Sequence, residues 1–283
     1  MPQVVSRDGT SIAYEVTGAG EHVVLIDGAL GSRSLGQMPR LAALLAPQFG
    51  VVTYDRRGRG ESGDTQPYAV GREVEDIGAL IDEVGGAARL YGISSGAALA
   101  LEAAAGLGEK VEQLAMYEPP YNAAADAVGE WQDYRRRLTE LLAAGRRGDA
   151  AGLFMAFVGV PAAQIDGMRS APMWSGFEAV APTLAYDAAI LGDVRSVPAA
   201  RAACVAAPSL IMNGGASLPF MRETALALAE ALPDGHYREL EGQPHDVSLE
   251  VLAPVLIEFF RSDRRQRQEA GGGQERSKAR PAA

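Results

Sequence analysis

The sequence is poor in cysteine and in long apolar runs, and each shortage excludes a class of protein. Cys204 is the single cysteine in 283 residues, so neither an internal disulfide nor a paired-cysteine metal motif can form. No apolar run is long enough to cross a bilayer, and the first residues lack the apolar core of a signal peptide. We therefore expect a soluble cytoplasmic protein without a membrane partner.

Positive charge and histidine are scarce as well. The formal net charge is -10, which argues against a nucleic-acid partner because the phosphates would be repelled. There are 3 histidines, which leaves few candidates for a general base. Hydrophobic residues make up 47% of the chain, which is enough for a sizeable core.

Short apolar runs alternate with helical patterns, an order typical of a mostly parallel sheet covered by helices on both faces. A hairpin is predicted around Asp8-Gly9, between strands at 3–6 and 11–15. The later predicted strands are 22–26, 50–54, 87–93, 110–117, 208–212 and 235–240. The predicted helices between and after them are 34–45, 70–84, 95–106, 219–232 and 247–260.

The alternation stops between Tyr121 and about Ala202, where the pattern is helical and holds no convincing strand. We interpret 121–202 as a helical cap inserted over the carboxyl edge of the sheet, where open α/β sheets bind ligands. Residues 1–120 and 203–261 then form one core domain. Residues 262–283 hold almost nothing apolar and are predicted to be a disordered tail.

One short stretch, Gly92-Ile93-Ser94-Ser95-Gly96, fits the pattern of a nucleophile elbow with Ser94 as the nucleophile. A sharp turn from strand to helix strains the serine backbone, and side chains two residues before and after it would collide there. Glycine at both positions relieves that collision, and the frame of the two glycines selects Ser94 over Ser95. The helix that follows favours the negative charge that develops in acyl transfer.

A general base for Ser94 must come from one of the histidines. His22 opens an early strand and His236 lies inside the last strand, whereas His245 lies in a loop after the last strand. The order serine then histidine suits this arrangement. We therefore predict that His245 takes the proton of Ser94 and returns it to the leaving group.

Four segments together resemble the α/β-hydrolase superfamily over roughly residues 3–261. They are the loop at Asp27-Gly28, the turn at 54–62, the elbow at 92–96 and the segment at 242–245. The chain is similar to bacterial serine hydrolases of the small esterase, haloperoxidase-like type with a helical cap. The resemblance implies an α/β-hydrolase fold, an oxyanion hole made by the backbone N–H groups of Ala29 and Ser95, and no cofactor or metal.

Two positions depart from the pattern of the superfamily. Asp27 stands where histidine is common. Its carboxylate either disfavours anionic substrates or bonds its own loop, and we favour the second because an unpaired buried carboxylate is costly. The usual triad acid after the strand ending at Met212 is missing, because Asn213-Gly214-Gly215-Ala216-Ser217-Leu218 holds no carboxylate. The candidates to orient His245 are then Glu118 after the strand 110–117, the neighbouring Asp246, or a neutral partner, Asn213 or Ser217. We favour Glu118; its alternative is a strand-end carboxylate that bonds a nearby loop or Arg56.

A serine nucleophile supports acyl transfer to water from a small apolar ester, lactone or thioester. A carbon–carbon bond hydrolase uses the same nucleophile and stays open, as does a ligand-binding protein without activity, which the missing acid would favour. The turn at 54–62 is interpreted as structural, with its charges bonding locally. Aromatic and methionine side chains of the cap are candidates to line a substrate pocket: Trp131, Phe157, Met168, Met173, Trp174 and Phe177.

Overall fold

A computed structural model describes residues 2–122 and 124–262 of the chain, and the predicted tail at 263–283 lies outside them. One sheet holds eight strands in the order β1-β2-β4-β3-β5-β6-β7-β8. The strands are β1 (Gln3–Val5), β2 (Ser11–Thr17), β3 (His22–Ile26), β4 (Gly50–Tyr54), β5 (Ala88–Ile93), β6 (Val111–Tyr117), β7 (Ser209–Gly214) and β8 (Gly235–Leu240). Strands β3 to β8 pair with one another in parallel, whereas β2 pairs antiparallel with β4 and, in the predicted hairpin, with β1. The predicted fold class is therefore confirmed.

The helices of the described residues lie between and after these strands. They are α1 (Met38–Leu45), α2 (Val70–Glu83), α3 (Ser95–Leu107), α4 (Ala125–Ala143), α5 (Arg147–Phe157), α6 (Ala162–Arg169), α7 (Trp174–Val180), α8 (Leu184–Leu191), α9 (Ala199–Ala202), α10 (Pro219–Ala231) and α11 (Leu249–Arg261). None of them is both long and apolar enough to cross a membrane.

Two boundaries differ from the sequence predictions, and both differences affect the site. Helix α1 begins at Met38 rather than at residue 34, because Ser32 O accepts bonds from Leu35 N and Gly36 N in a tight loop. Strand β7 continues through Asn213 to Gly214, two residues beyond the expected end. The pairing of Tyr117 with Met212 therefore sets the residue after β6 beside the last two residues of β7.

The sheet separates two apolar layers because alternate side chains of each strand point to opposite faces. On β5, Leu90 joins the layer that contains α3, whereas Tyr91 joins the layer that contains α1 and α11. Strands β3, β4 and β5 are buried almost throughout, as expected for parallel strands covered on both faces. All six helices from α4 to α9 lie between β6 and β7, and the division into core and cap remains a prediction.

Candidate active site

Ser94 lies at the turn between β5 and α3 in a strained backbone conformation, with φ 56° and ψ -129°. A Cβ atom on Gly92 would lie 2.4 Å from Gly96 O, and one on Gly96 would lie 2.4 Å from Ile26 O. Neither position therefore accepts a side chain. The glycine frame that identified Ser94 in the sequence is a steric requirement of this turn.

Glu118 and His245 form a hydrogen-bonded pair near the carboxyl edge of the sheet. Glu118 follows β6 directly, has no exposed surface, and accepts a bond of 2.6 Å from His245 Nδ1 at its Oε2. Its Oε1 accepts a bond of 2.7 Å from Gly214 N, and its own N–H donates to Met212 O at 2.9 Å. The carboxylate is thus fixed between two strands and aimed at the histidine. Because Nδ1 donates to it, Nε2 is the ring nitrogen left to accept a proton.

The other candidates to orient His245 have different partners. Asp246 accepts a bond from the side chain of Gln37. Asn213 accepts from the hydroxyl of Tyr237 at 2.9 Å and donates to Gly214 O at 3.0 Å. Ser217 Oγ is buried and finds no partner within residues 2–122 and 124–262. Glu118 also makes no bond to Arg56, the alternative considered from the sequence, because Arg56 pairs with Glu73 and Asp187.

The loop after β3 approaches Ser94 closely. A Cβ atom on Gly28 would lie 3.1 Å from Ser94 Cβ, so only glycine allows this approach without a shift. Leu30, two residues on, has a φ of 60°. The side chain of Arg59 holds the loop by donating to Gly28 O at 2.5 Å and to Gly31 O at 3.2 Å. The predicted oxyanion residue Ala29 therefore lies in a loop that is anchored on both sides. Ser94 Oγ makes no hydrogen bond to the side chain of a described residue, and His245 bonds Glu118 instead. Hydrogen bonds between a catalytic nucleophile and its general base often tighten only once substrate is bound.

Ser95, the second predicted oxyanion residue, is anchored by a buried charge network. Its Oγ donates to Asp187 Oδ1 at 2.8 Å, and Asp187 also accepts from Arg56 at 2.8 Å and from Arg59 at 2.9 Å. Burial raises the pKa of Asp187, but the charges of Arg59 and Arg56 outweigh it and hold the pKa below its usual value. Asp187 lies on α8, so a residue from the helices between β6 and β7 holds the residue next to Ser94.

The arginines of the turn at 54–62 therefore bond to carboxylates that are farther away in the sequence than expected. Arg57 reaches α2, where it pairs with Asp76 at 2.7 Å, and it also pairs with Asp8 of the first hairpin at 2.9 Å. The expectation of purely local bonding is wrong, because all three side chains are buried and each needs a buried carboxylate. Sequence reasoning missed Asp187, although three arginines within four residues signal that carboxylates from other segments can meet them.

Asp27 bonds its own loop, as expected. Its Oδ1 accepts a bond of 2.8 Å from Gly28 N, while its Oδ2 is buried without a partner in the part of the chain that the structure describes. Burial raises the pKa of Asp27 to about 6, although the charge of Arg59 acts in the opposite direction. Asp27 is therefore protonated far more readily than an ordinary aspartate.

A cavity of about 190 Å³ lies beside the elbow. Its walls come from the loop at 27–38, from α11 and from single residues such as Ile93, Val247 and Phe177. Of the six cap residues expected to line a pocket, Phe177 is the one found there. Trp131 packs with Tyr134 and Phe157 in the interior of the inserted helices, with Trp131 and Tyr134 ring centroids 5.4 Å apart. The apolar wall beside the elbow is thus built mainly by the core of the fold.

The parallel sheet, the strained serine elbow and the carboxylate–histidine pair are features of one family of proteins. The model of the alpha/beta hydrolase family matches residues 18–255, and the chain belongs to that family. The resemblance inferred from the sequence is thereby confirmed.

Individual relatives agree with this membership. An alpha/beta hydrolase from Sphaerobacter thermophilus DSM 20745 is 52% identical, with a TM-score of 0.82 over 92% of this chain and 100% of that one. The enol-lactonase from Burkholderia xenovorans LB400 shares the fold at 20% identity, with a TM-score of 0.64 over 92% and 100% of the two chains. BpoC of Mycobacterium tuberculosis, whose name describes a non-heme bromoperoxidase, is 33% identical over 93 residues. That match spans 32% of this chain and 36% of the relative.

Proposed function

We propose that the protein is a serine hydrolase that cleaves an ester-type bond of a small apolar substrate through an acyl-enzyme on Ser94. The observation that carries the proposal is the 2.6 Å bond between Glu118 and His245, made in a fold that also holds Ser94 in a strained elbow. Carboxylate, imidazole and serine in this chain arrangement are the parts that acyl transfer needs. Membership of the hydrolase family supports the same reaction class.

The reaction proceeds in two halves. His245 Nε2 takes the proton of Ser94 as Oγ attacks the carbonyl carbon, and the charge of Glu118 stabilises the imidazolium that forms. The backbone N–H groups of Ser95 and Ala29 donate to the oxyanion, a contribution of several kcal/mol in related chemistry, roughly 3–4. His245 then protonates the leaving group. Water, activated by the same imidazole, hydrolyses the acyl-enzyme and restores Ser94.

The cavity supports a small apolar acyl or alcohol group. Its volume of about 190 Å³ lies below the roughly 300–1,000 Å³ of common ligand pockets, and its walls are mainly aliphatic. We also propose that residues 121–202 act as a cap over this site. Phe177 in its wall and the bond from Ser95 to Asp187 both come from that segment.

Two other functions were considered from the sequence. The binding-protein hypothesis depended on the missing acid after Met212, and the bond from His245 to Glu118 removes that support. Carbon–carbon bond hydrolysis uses the same nucleophile, so it is the second candidate.

The test is covalent labelling followed by turnover. A fluorophosphonate probe should label the wild-type protein and fail to label Ser94→Ala, with Ser95→Ala labelled as the matched control. Turnover is then compared between short-chain 4-nitrophenyl esters and a vinylogous diketone. Labelling without ester turnover, but with diketone cleavage, would replace ester hydrolysis by the second candidate. Absence of labelling would contradict both.

A further inference from the structure

Arg195 has a backbone conformation that it shares with residues of the candidate active site. The described part of the chain contains four non-glycine residues with positive φ, namely Leu30, Ser94, Glu118 and Arg195. The first three belong to the oxyanion loop, the elbow and the pair with His245. Strained backbone of this kind costs free energy, about 1–3 kcal/mol per residue, and clusters at functional sites. Arg195, with φ 51°, therefore needs an explanation of its own.

The guanidinium of Arg195 differs from the other buried arginines because it forms no ion pair with a described residue. Arg56, Arg57, Arg59 and Arg89 are buried too, and each pairs with a carboxylate. Arg195 is 7% exposed, yet its side chain makes no ion pair or hydrogen bond with any described residue, and its Nε is buried without a partner. Burial lowers its pKa, and Glu130 opposes this only through its charge at a distance. An unpaired buried charge is costly unless a ligand supplies the missing partner.

Three aromatic rings surround this guanidinium. Its Cζ lies 5.4 Å from the ring centre of Trp131, 5.3 Å from that of Phe157 and 5.6 Å from that of Phe220. Ring faces attract a cation but satisfy none of its N–H donors. The rings hold the guanidinium in place while its hydrogen-bonding capacity stays unused.

Backbone contacts place Arg195 near the ends of β6 and β7. Arg195 O accepts a bond of 2.7 Å from Asn122 N, and Asn122 comes four residues after Glu118. Phe220 lies in the first turn of α10, which follows β7 and the Gly214 that donates to Glu118. Strand β5, which leads to Ser94, is the neighbour of β6. Neighbouring parallel strands are about 4.8 Å apart, so the ends of β5, β6 and β7 lie side by side at one edge of the sheet.

We propose that Arg195 binds a carboxylate of the substrate, so that the enzyme acts on short half-esters of dicarboxylic acids. The proposal rests on the proposed ester hydrolysis and changes its substrate at one end: the alcohol group stays apolar, while the acyl group carries one negative charge. A planar carboxylate matches the two parallel N–H donors of a guanidinium. Because the Arg195 region and Ser94 lie at the same edge of the sheet, we place a short methylene chain between the carboxylate and the reacting carbonyl.

The kinetic test compares two esters that differ by one charge: mono-4-nitrophenyl glutarate and the 4-nitrophenyl ester of monomethyl glutarate. For Arg195→Met, kcat/KM for the acid should fall at least about 30-fold more than for the methyl ester, mainly through KM, as loss of a charge-assisted pair predicts. Arg195→Lys, which keeps the charge, should recover part of the preference. Arg169→Gln is the matched control, because Arg169 stacks on Trp174 at 4.9 Å but pairs with Asp149. It should leave the preference unchanged.

An equal fall in kcat/KM for both esters in Arg195→Met would show that Arg195 contributes only to packing and would overturn the proposal. The same conclusion would follow if the wild type showed no preference for the acid. Should Arg195→Met fail to fold, the preference of Arg195→Lys against the wild type decides the question.

Calorimetry separates this inference from the proposed hydrolysis. Glutarate should bind the wild type, bind Arg195→Lys at least about tenfold more weakly, and compete better than inorganic phosphate. Glutarate binding that depends on Arg195 in a protein without esterase activity would refute only the hydrolysis. Ester turnover without glutarate binding would refute only the carboxylate site, and equal binding of phosphate would replace it by a general anion site.

Discussion

Replacing Glu118 by glutamine tests how the histidine is oriented, because the two groups have the same shape but different donors. The carboxylate now accepts two bonds, from His245 Nδ1 at 2.6 Å and from Gly214 N at 2.7 Å. A glutamine amide accepts at its oxygen only and presents N–H donors at its other end. One of the two partners must therefore face a donor.

The exposed partner is the one that will adapt. The side chain of His245 is 47% exposed and can move its ring proton from Nδ1 to Nε2, whereas Gly214 N is fixed in β7. A glutamine turned the other way would set two donors face to face in a buried site, at a cost of about 1–3 kcal/mol. The favoured arrangement thus leaves His245 with its proton on Nε2, where it cannot accept the proton of Ser94. Loss of the correct tautomer lowers kcat by about 10⁴-fold in serine hydrolases, or about 5.5 kcal/mol in the barrier.

The assay is steady-state hydrolysis of a short-chain 4-nitrophenyl ester by wild type, Glu118→Gln and Asp246→Asn, with thermal melts of all three. Asp246→Asn is the matched control, since Asp246 is next to His245 in the chain but bonds Gln37. It should retain activity within about threefold, in line with a surface substitution of small effect. Activity of Glu118→Gln within tenfold of wild type, with an unchanged melt, would refute the orienting role. An equal loss of activity in Asp246→Asn would show that the effect is not specific to Glu118 and would contradict its assignment as the residue that orients His245.

Further predictions concern the anchors of the oxyanion loop and the elbow. Ser95→Ala removes the bond to Asp187 and should lower kcat by roughly threefold to tenfold with little change in KM, whereas Ser209→Ala, which removes a buried hydroxyl elsewhere, should leave kcat unchanged. Equal losses of kcat in Ser95→Ala and Ser209→Ala would contradict a specific role for the bond from Ser95 to Asp187. Gly28→Ala places a Cβ 3.1 Å from Ser94 Cβ and should lower kcat while the melting temperature changes little. A lower melting temperature with an unchanged kcat would disprove this prediction. Asp27→Asn should change the pH dependence of stability. The folded pKa of Asp27, about 6, exceeds its ordinary value of 3.8, so the group stabilises the fold below pH 4 and this contribution is lost as pH rises through 6. The free energy of unfolding of the wild type, measured with urea, should fall by about 2–3 kcal/mol more between pH 4 and pH 7 than that of the variant. Parallel curves of unfolding free energy against pH would refute this.

The sheet and the elbow could be predicted from the sequence because their signals are local. Buried parallel strands are continuous apolar runs, and a turn as tight as that at Ser94 needs glycine at fixed spacing. The late start of α1 was missed because the bonds from Leu35 and Gly36 to Ser32 compete with helix formation in a segment of helical spacing.

The remaining residues of the site depend on contacts between distant segments. Glu118 could be favoured over Asp246 and Asn213 but not selected, because the choice depends on the register between β6 and β7 and on the course of the loop before α11. Asp187 and Arg195 lie in the inserted helices and their connections, where no short motif marks them. Each is defined by buried charge, since Asp187 pairs with two arginines and Arg195 forms no ion pair with a carboxylate of the described residues.

The most direct test of the central claim is to trap the acyl-enzyme and locate it. Wild-type protein mixed with excess 4-nitrophenyl butyrate is quenched in acid within the pre-steady-state burst, digested and mapped by mass spectrometry. We expect one butyryl group per molecule, attached to Ser94, with Glu118→Gln showing a greatly slowed burst. A butyryl group on Ser95, or steady turnover with no acyl group on either serine, would contradict it.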